Sequence, residues 1–390
     1  MKTIKDLENA LEGKRLLMRV DFNLPLDKET GEITNDLRIR QALPTVRYAL
    51  ERNARTICMS HLGRPKGEKD PALSLEPVAE RFSELLGAPV KFAPDCVGNE
   101  VEEMVNELED GEVLLLENLR FHAGEKANDE DFAQSLASLG DYFVNDAFGT
   151  AHRAHASTVG VAQNLPAVAG FLIEKEVDVL STVLKNPEKP FVAVMGGAKV
   201  SDKIEAIRNL LKLADRLLVG GAMAYTFLKS QGRDIGNSMV EDEKLDLAGE
   251  LLAESGDKIR LPIDHVCAEE INEDVEPQTV GVVDIPDGLI GLDIGPQTAE
   301  LYAQEVRQAR TVTWNGPLGY FEIDAFSEGT RSLARAMAEC DGMTVVGGGE
   351  TGESVEELGL QDEVSHVSTG GGACLEFLSG NELPALAVLK

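Results

Sequence analysis

Arginine, histidine and glycine recur where short apolar runs end, and together they suit the binding and neutralisation of phosphate or carboxylate. Four such ends in the first half read Arg19-Val20-Asp21-Phe22-Asn23, Ser60-His61-Leu62-Gly63-Arg64-Pro65, Glu117-Asn118-Leu119-Arg120-Phe121-His122 and Asn145-Asp146-Ala147-Phe148-Gly149, the last running into His152-Arg153-Ala154-His155. Four of the six histidines and a set of arginines are thereby placed on one edge. The formal charge is −31, from 68 acids against 37 Lys and Arg, so a cationic cluster at strand ends stands out from ordinary surface charge. Arginine presents a planar fork that matches carboxylate and phosphate oxygens. His152 and His155 are spaced to share a helical face, but the neighbouring arginines oppose a bound cation, and His265 and His366 read as core residues.

The second half answers with glycine. Its run ends read Gly196-Gly197-Ala198-Lys199-Val200-Ser201-Asp202-Lys203, Gly220-Gly221-Ala222-Met223, Trp314-Asn315-Gly316-Pro317-Leu318-Gly319, Gly347-Gly348-Gly349-Glu350-Thr351 and Ser368-Thr369-Gly370-Gly371-Gly372. Glycine lets backbone amides approach phosphate oxygens closely, and a following helix N-terminus favours the anion. Lys199 and Lys203, expected to straddle a helix start, suit the neutralisation of moving phosphate charge. The P-loop pattern GxxxxGK[ST] is absent. Gly347-x-Gly349-x-x-Gly352 matches the dinucleotide fingerprint, yet the acid required about 20 residues on is replaced by Ser368-Thr369-Gly370, which disfavours a dehydrogenase. A phosphate-binding protein without chemistry would share these anion sites but show no ATP-dependent turnover.

The elements that position these residues follow from periodicity. Apolar runs at Leu16–Val20, Thr56–Met59, Val113–Leu116, Tyr142–Val144, Phe191–Met195, Leu217–Val219, Lys258–Leu261, Thr311–Trp314, Met343–Val346 and Ser365–Val367 predict buried parallel strands. Amphipathic stretches such as Leu75–Leu86, Asp129–Leu139, Ser201–Leu213, Lys244–Glu254 and Thr298–Ala309 predict the helices between them. The fold class is α/β, two doubly wound parallel-sheet domains joined by a helix. That helix is expected at Phe171–Leu184, stopped by the prolines of Asn186-Pro187-Glu188-Lys189-Pro190. At 390 residues two domains are the default, here 1–170 and 190–372, with 171–189 as the hinge. The acidity excludes nucleic acid and anionic membranes as partners and points to a salty cytoplasm. Five dispersed cysteines without a CxxC pair, and an N-terminal stretch lacking an apolar signal core, also point to the cytoplasm.

At this level of detail the chain resembles the phosphoglycerate kinases along essentially its whole length. The resemblance is carried in order by Arg19–Asn23 with Pro25, Ser60–Pro65, Glu117–Phe121, Asn145–Gly149 with His152–Ser157, Gly196–Lys203, Trp314–Pro317 with Glu322, and the two glycine triplets. It implies reversible transfer of the acyl phosphate of 1,3-bisphosphoglycerate to ADP, giving 3-phosphoglycerate and ATP, with Mg2+, in a monomeric enzyme. It implies triose binding by Asp21, Asn23, Arg38, His61, Arg64, Arg120 and Arg153, with Arg38 also against the transferring group. Lys203, with Lys199 nearby, would follow the phosphoryl group. Gly220, Gly221 and Gly291 match an adenosine pocket, and Asn315, Pro317 and Glu322 the nucleotide's phosphates and ribose. Gly348, Gly349 and Thr351 match a phosphate loop, Gly371 and Gly372 a loop facing the transition state, and Glu176, Ser368 and Thr369 the hinge. The tail, about 373–390, would complete the first domain. Glu350 takes the magnesium position, where the family usually has Asp.

Overall fold

The computed structural model describes residues 1–27 and 29–389. Lys390, the last residue of the expected tail, lies outside them. The chain forms two compact units, Met1–Asp178 with Glu382–Lys390, and Val179–Asn381. The helix Gly371–Leu378 belongs to the second unit, so the stretch that rejoins the first starts at Glu382 rather than near 373.

The first unit is built on β1 (Arg15–Arg19), β2 (Arg55–Met59), β3 (Val90–Phe92), β4 (Val113–Leu115), β5 (Tyr142–Asn145) and β6 (Ala167–Ala169), all parallel, in the order β3-β4-β2-β1-β5-β6. Residues alternate between the sheet's two faces with period 2, and both faces are buried. Leu16, Met18, Val113, Leu115 and Val144 pack with Ile39, Leu43 and Val46 of the helix Leu37–Leu50 and with Phe82 of the helix Glu76–Leu86. Leu17, Ile57, Met59, Leu114 and Phe143 pack on the other side with Val101, Val105, Phe132 and Leu136. Covering both faces is why β1, β2, β4 and β5 read as short apolar runs rather than alternating ones.

The second unit has a parallel sheet of β7 (Phe191–Met195), β8 (Arg216–Val219), β9 (Ile259–Arg260), and, later in the chain, β13 (Thr311–Asn315), β14 (Met343–Gly347) and β15 (His366–Ser368), ordered β15-β14-β13-β7-β8-β9. Strand order reverses between β7 and β13, the crevice where doubly wound sheets take ligands. Between them the chain forms a small antiparallel sheet, β11 (Gln278–Val280), β10 (His265–Ala268) and β12 (Ile290–Ile294), in the order β11-β10-β12. This small sheet is additional to the two parallel sheets expected from sequence. His265 is accordingly a buried strand residue, its Nε2 paired with the Val283 carbonyl at 3.1 Å.

The helix Phe171–Lys185 begins on Asp146, the residue after β5. Asp146 Oδ1 accepts the Leu172 and Ile173 N–H groups at 2.9 and 3.3 Å, and a side chain at Gly170 would collide with the same carboxyl. Complete burial pushes the Asp146 pKa up to about 7, against the pull of these donors. A folded pKa raised above the ordinary value of 3.8 means that the native state binds the extra proton. Stability from this group is therefore present at acid pH and falls as pH rises from about 4 to 7. Asp146→Asn keeps the accepting oxygen and removes the ionisation. Thermal unfolding at pH 8 should show it more stable than the parent by roughly 1 to 4 kcal/mol, an advantage that vanishes near pH 4. A variant less stable at both pH values would contradict this.

Candidate active site

Beyond the carboxyl ends of β1, β2 and β4, side chains tie the first unit's loops to one another. Gly63 N–H donates to Asn23 Oδ1 at 2.8 Å, Asn118 Nδ2 donates to the Leu62 carbonyl at 2.8 Å, and Arg120 Nη1 donates to the Gly63 carbonyl at 2.7 Å. Arg38, in the first turn of the helix Leu37–Leu50, donates through Nη1 to Asp21 Oδ2 at 3.0 Å. These contacts bring Asp21, Asn23, Arg38, His61 and Arg120 together. Burial holds the His61 pKa well below the ordinary 6.5, and the charges of Arg19, Arg120, Arg38 and Arg153 lower it further. Arg120 is nearly buried, and its Nε has no hydrogen-bond partner in the protein. Burial, with Arg19 and Arg153 close by, lowers its pKa to about 10. Crowded guanidinium groups with a buried, unpaired donor make a cradle for an anion. Arg153 is exposed and donates through Nε to His152 Nε2 at 3.0 Å; Arg64 is exposed and has no ion pair among the described residues.

Two expectations change. His61 is the histidine that sits under these arginines. His122 is tied to Asp95 at 2.6 Å and stacks on Phe132, while His155 is buried 3.6 Å from Glu125. Asp95 Oδ1 also accepts the Cys96 N–H at 2.7 Å, so the cluster of Asp95, Cys96 and His122 is closed by its own hydrogen bonds. Arg19, read from sequence as part of the cationic edge, is fully buried.

In the second unit a cavity of about 300 Å³ opens where the strand order reverses, lined by Gly197, Gly221, Gly291, Pro317, Glu322 and Glu350 among others. Its wall also includes Tyr225, Met239, Ile271, Ile290, Leu292 and Tyr320. Of these, Met239, Ile271 and Tyr320 are large apolar residues left exposed, at 55%, 47% and 43%. Exposed apolar groups around a cavity suit a flat ring system better than water. Sequence reading missed this wall because its residues are scattered over almost a hundred positions. The one local cue was the alternation in Ile290–Ile294.

Glycine is needed here for close approach. Gly221 has φ +66°, and a side chain on it would meet the Gly197 backbone at 2.6 Å and the Pro317 carbonyl at 2.9 Å. Gly291 abuts the Tyr225 ring, and Gly220 packs against Leu318. The loop after β7 is held by Gly197 N–H to the Pro317 carbonyl at 2.8 Å and Ser201 Oγ to Glu241 Oε1 at 2.6 Å. Its helix starts at Ile204, so Lys203 is the residue just before it and both lysines precede the helix start rather than straddle it; Lys199 is exposed. Lys203 Nζ donates to Asn315 twice, to its carbonyl at 3.0 Å and Oδ1 at 2.7 Å. Burial lowers its pKa to about 8, opposed by the charges of Glu350 and Asp202.

The two glycine triplets meet. Gly348, at φ +113°, precedes the helix Gly349–Glu357, and Gly370 precedes Gly371–Leu378. A side chain on Gly371 would lie 3.2 Å from the Gly349 nitrogen. Two helix N-termini, each with unsatisfied amides, therefore share one neighbourhood that includes Gly348, Gly349, Gly371 and Gly372. Thr351 Oγ1 accepts the Gly316 N–H at 2.8 Å, tying the loop after β13 to this one. Among the hinge expectations, Glu176, Ser368 and Thr369 are buried.

The family model described as phosphoglycerate kinase matches residues 4–381. The chain belongs to the phosphoglycerate kinase family. Curated members of that family from Rubrobacter xylanophilus and Thermosipho africanus are 56% and 55% identical over 388 and 392 residues, covering 100% and 99% of this chain and 98% and 96% of theirs. Among solved structures, the phosphoglycerate kinase of Coxiella burnetii is 44% identical with a TM-score of 0.84, covering 97% of this chain and 96% of its own. The Pyrococcus horikoshii enzyme is 34% identical with a TM-score of 0.89, covering 100% and 98%. No described helix is long and apolar enough to cross a membrane.

Proposed function

We propose that the arginine-bearing strand ends of the first unit bind 3-phosphoglycerate or 1,3-bisphosphoglycerate, and that the glycine-walled cavity of the second binds ATP or ADP. The chain then carries out the family's reaction, reversible phosphoryl transfer between 1,3-bisphosphoglycerate and ADP. The observation that carries this reading is the anion cradle around His61, where four guanidinium groups gather in a chain of net charge −31.

Phosphoryl transfer asks little covalent chemistry of the protein, so positioning and charge stabilisation perform it. Asp21, Asn23, His61, Arg64, Arg120 and Arg153 would orient the triose. Arg38 and Lys203 would neutralise the equatorial oxygens of the moving group, aided by amides at Gly371 and Gly372. Gly220, Gly221 and Gly291 would receive the adenosine, Asn315, Pro317 and Glu322 the ribose and phosphates, and Lys199, Gly348, Gly349 and Thr351 the phosphate chain. No general base is required, because the acceptor is already ionised. Closing of the units about the Phe171–Lys185 segment, with Glu176, Ser368 and Thr369 as hinge positions, would exclude water that hydrolyses the acyl phosphate. A monomer acting in a salt-rich cytoplasm fits the charge.

Glu350 suits magnesium. It is an exposed carboxylate on the cavity wall, in the first turn of the helix Gly349–Glu357, with its charge felt by Lys203. One carboxylate beside substrate phosphates is a common magnesium arrangement, and the ion, when bound, would withdraw charge from those phosphates. Glu350→Asp should hold or tighten magnesium-dependent nucleotide affinity in calorimetry, whereas Glu350→Gln weakens it. A large loss in the Asp variant would show that this chain needs the longer arm.

Turnover is tested by a coupled assay with ATP, magnesium and 3-phosphoglycerate across a salt series. Turnover is expected, and activity that persists in molar salt supports the halophilic reading. No turnover at any salt sinks the functional one.

A further inference from the structure

Arg19 lies beneath the proposed triose site with no access to solvent. Its guanidinium donates in three directions: Nη1 to the Val20 carbonyl, Nε to Ser157 Oγ at 2.9 Å, and Nη2 toward His61 Nδ1 at 3.1 Å. Ser157 Oγ in turn donates to Glu125 Oε1 at 2.7 Å, and the Ser157 N–H donates to Glu125 Oε2 at 2.9 Å. Glu125 is fully buried too, so one hydroxyl bridges a buried cation and a buried carboxylate.

This geometry decides where the His61 proton sits. A guanidinium has donors and no acceptor, so the contact at 3.1 Å requires His61 Nδ1 to accept. The nearest carboxylate oxygen, Asp21 Oδ1, is 3.9 Å from Nδ1, too far to claim a proton there. The ring's one hydrogen therefore sits on Nε2, which has no hydrogen-bond partner among the described residues.

We propose that Arg19 is a positioning residue: held by Ser157 and Glu125, it fixes His61 as the Nε2–H tautomer, so that the ring gives one directed hydrogen bond to an anionic oxygen of the triose. The proposal rests on the triose-site reading above. It assigns the buried arginine to substrate recognition through His61, without contact to substrate. The other tautomer would turn a lone pair toward the anion and repel it, so one proton's placement separates an attractive site from a repulsive one.

Truncating Arg19 alone strands the Glu125 charge and risks unfolding, so the test removes both charges in Arg19→Met/Glu125→Gln. Heteronuclear NMR of protein labelled at histidine nitrogens, with His61 assigned by its loss in His61→Gln, should show one Nε2–H tautomer in the parent and a tautomer mixture in the double variant. The KM for 3-phosphoglycerate should rise roughly 10- to 100-fold, the loss of a hydrogen bond to a charged group, with the KM for ATP unchanged. Glutamine places its amide nitrogen near the position of Nε2 and has no tautomer to set. On a His61→Gln background the same two substitutions should add no further rise. An unchanged His61 tautomer, or an equal rise on both backgrounds, overturns the proposal. If instead His61→Ala leaves the KM for 3-phosphoglycerate untouched, the triose-site reading fails, while the tautomer measurement still stands on its own.

Discussion

Arg38→Ala should lower kcat by about 100- to 1000-fold, the usual cost of removing one preorganised donor from a transition state, while calorimetry shows ATP binding intact. Arg38 is half-buried at the start of the helix Leu37–Leu50, and one of its donors is engaged by Asp21 at 3.0 Å. Such an anchor fixes the guanidinium's direction while leaving other donors for a ligand. The Asp21 carboxylate that loses its partner is buried, so thermal unfolding must be run alongside to separate lost folding from lost chemistry. Arg38→Lys keeps the charge but not the planar fork, and should recover only part of the rate. A variant that raises the KM for 3-phosphoglycerate with kcat unchanged would make Arg38 a binding residue without a share in the transition state.

Lys203→Ala should cost a similar 100- to 1000-fold in kcat, and the parent enzyme's pH profile should identify the same group. Burial lowers the Lys203 pKa to about 8, so the free enzyme loses this ammonium as pH rises through that value. Because kcat/KM reports the free enzyme, it should fall on the alkaline side of about pH 8. Bound phosphates raise the ammonium's pKa by opposite charge, so kcat should hold to higher pH than kcat/KM. The two hydrogen bonds to Asn315 keep Nζ in place in either protonation state. A kcat/KM profile flat between pH 7 and 10 would contradict this role.

How much of the fold and site is legible in the sequence depends on how local each signal is. Phe191–Met195 is buried at every position, and its run of five apolar residues declares the strand. The helix Phe171–Lys185 ends one residue past its expected end, because Pro187 and Pro190 stop it. The edge strand β3, with exposed Lys91 at its centre, and the antiparallel strand Gln278–Val280, largely exposed, lack an apolar run and are not among the strands expected from sequence. Most of the candidate site is legible in the sequence, since strand ends and glycine runs are contiguous there. Arg19 was misread as an edge cation because its burial depends on Ser157 and Glu125, the former 138 residues away. The apolar wall around Tyr225 and Ile290 depends in the same way on chain that folds back from distant positions. Lys203 was found, but the Asn315 contacts that hold it span 112 residues and carry no local signature.

The assignment of one substrate to each unit is tested most directly by amide hydrogen exchange of the intact protein with one ligand at a time. The account predicts that 3-phosphoglycerate alone slows exchange around Asp21–Asn23, His61–Arg64 and Leu119–Phe121, and that ATP with magnesium slows it around Gly196–Lys203, Gly220–Gly221 and Gly347–Thr351. Protection of the glycine loops by 3-phosphoglycerate, or of the arginine loops by the nucleotide, would contradict it.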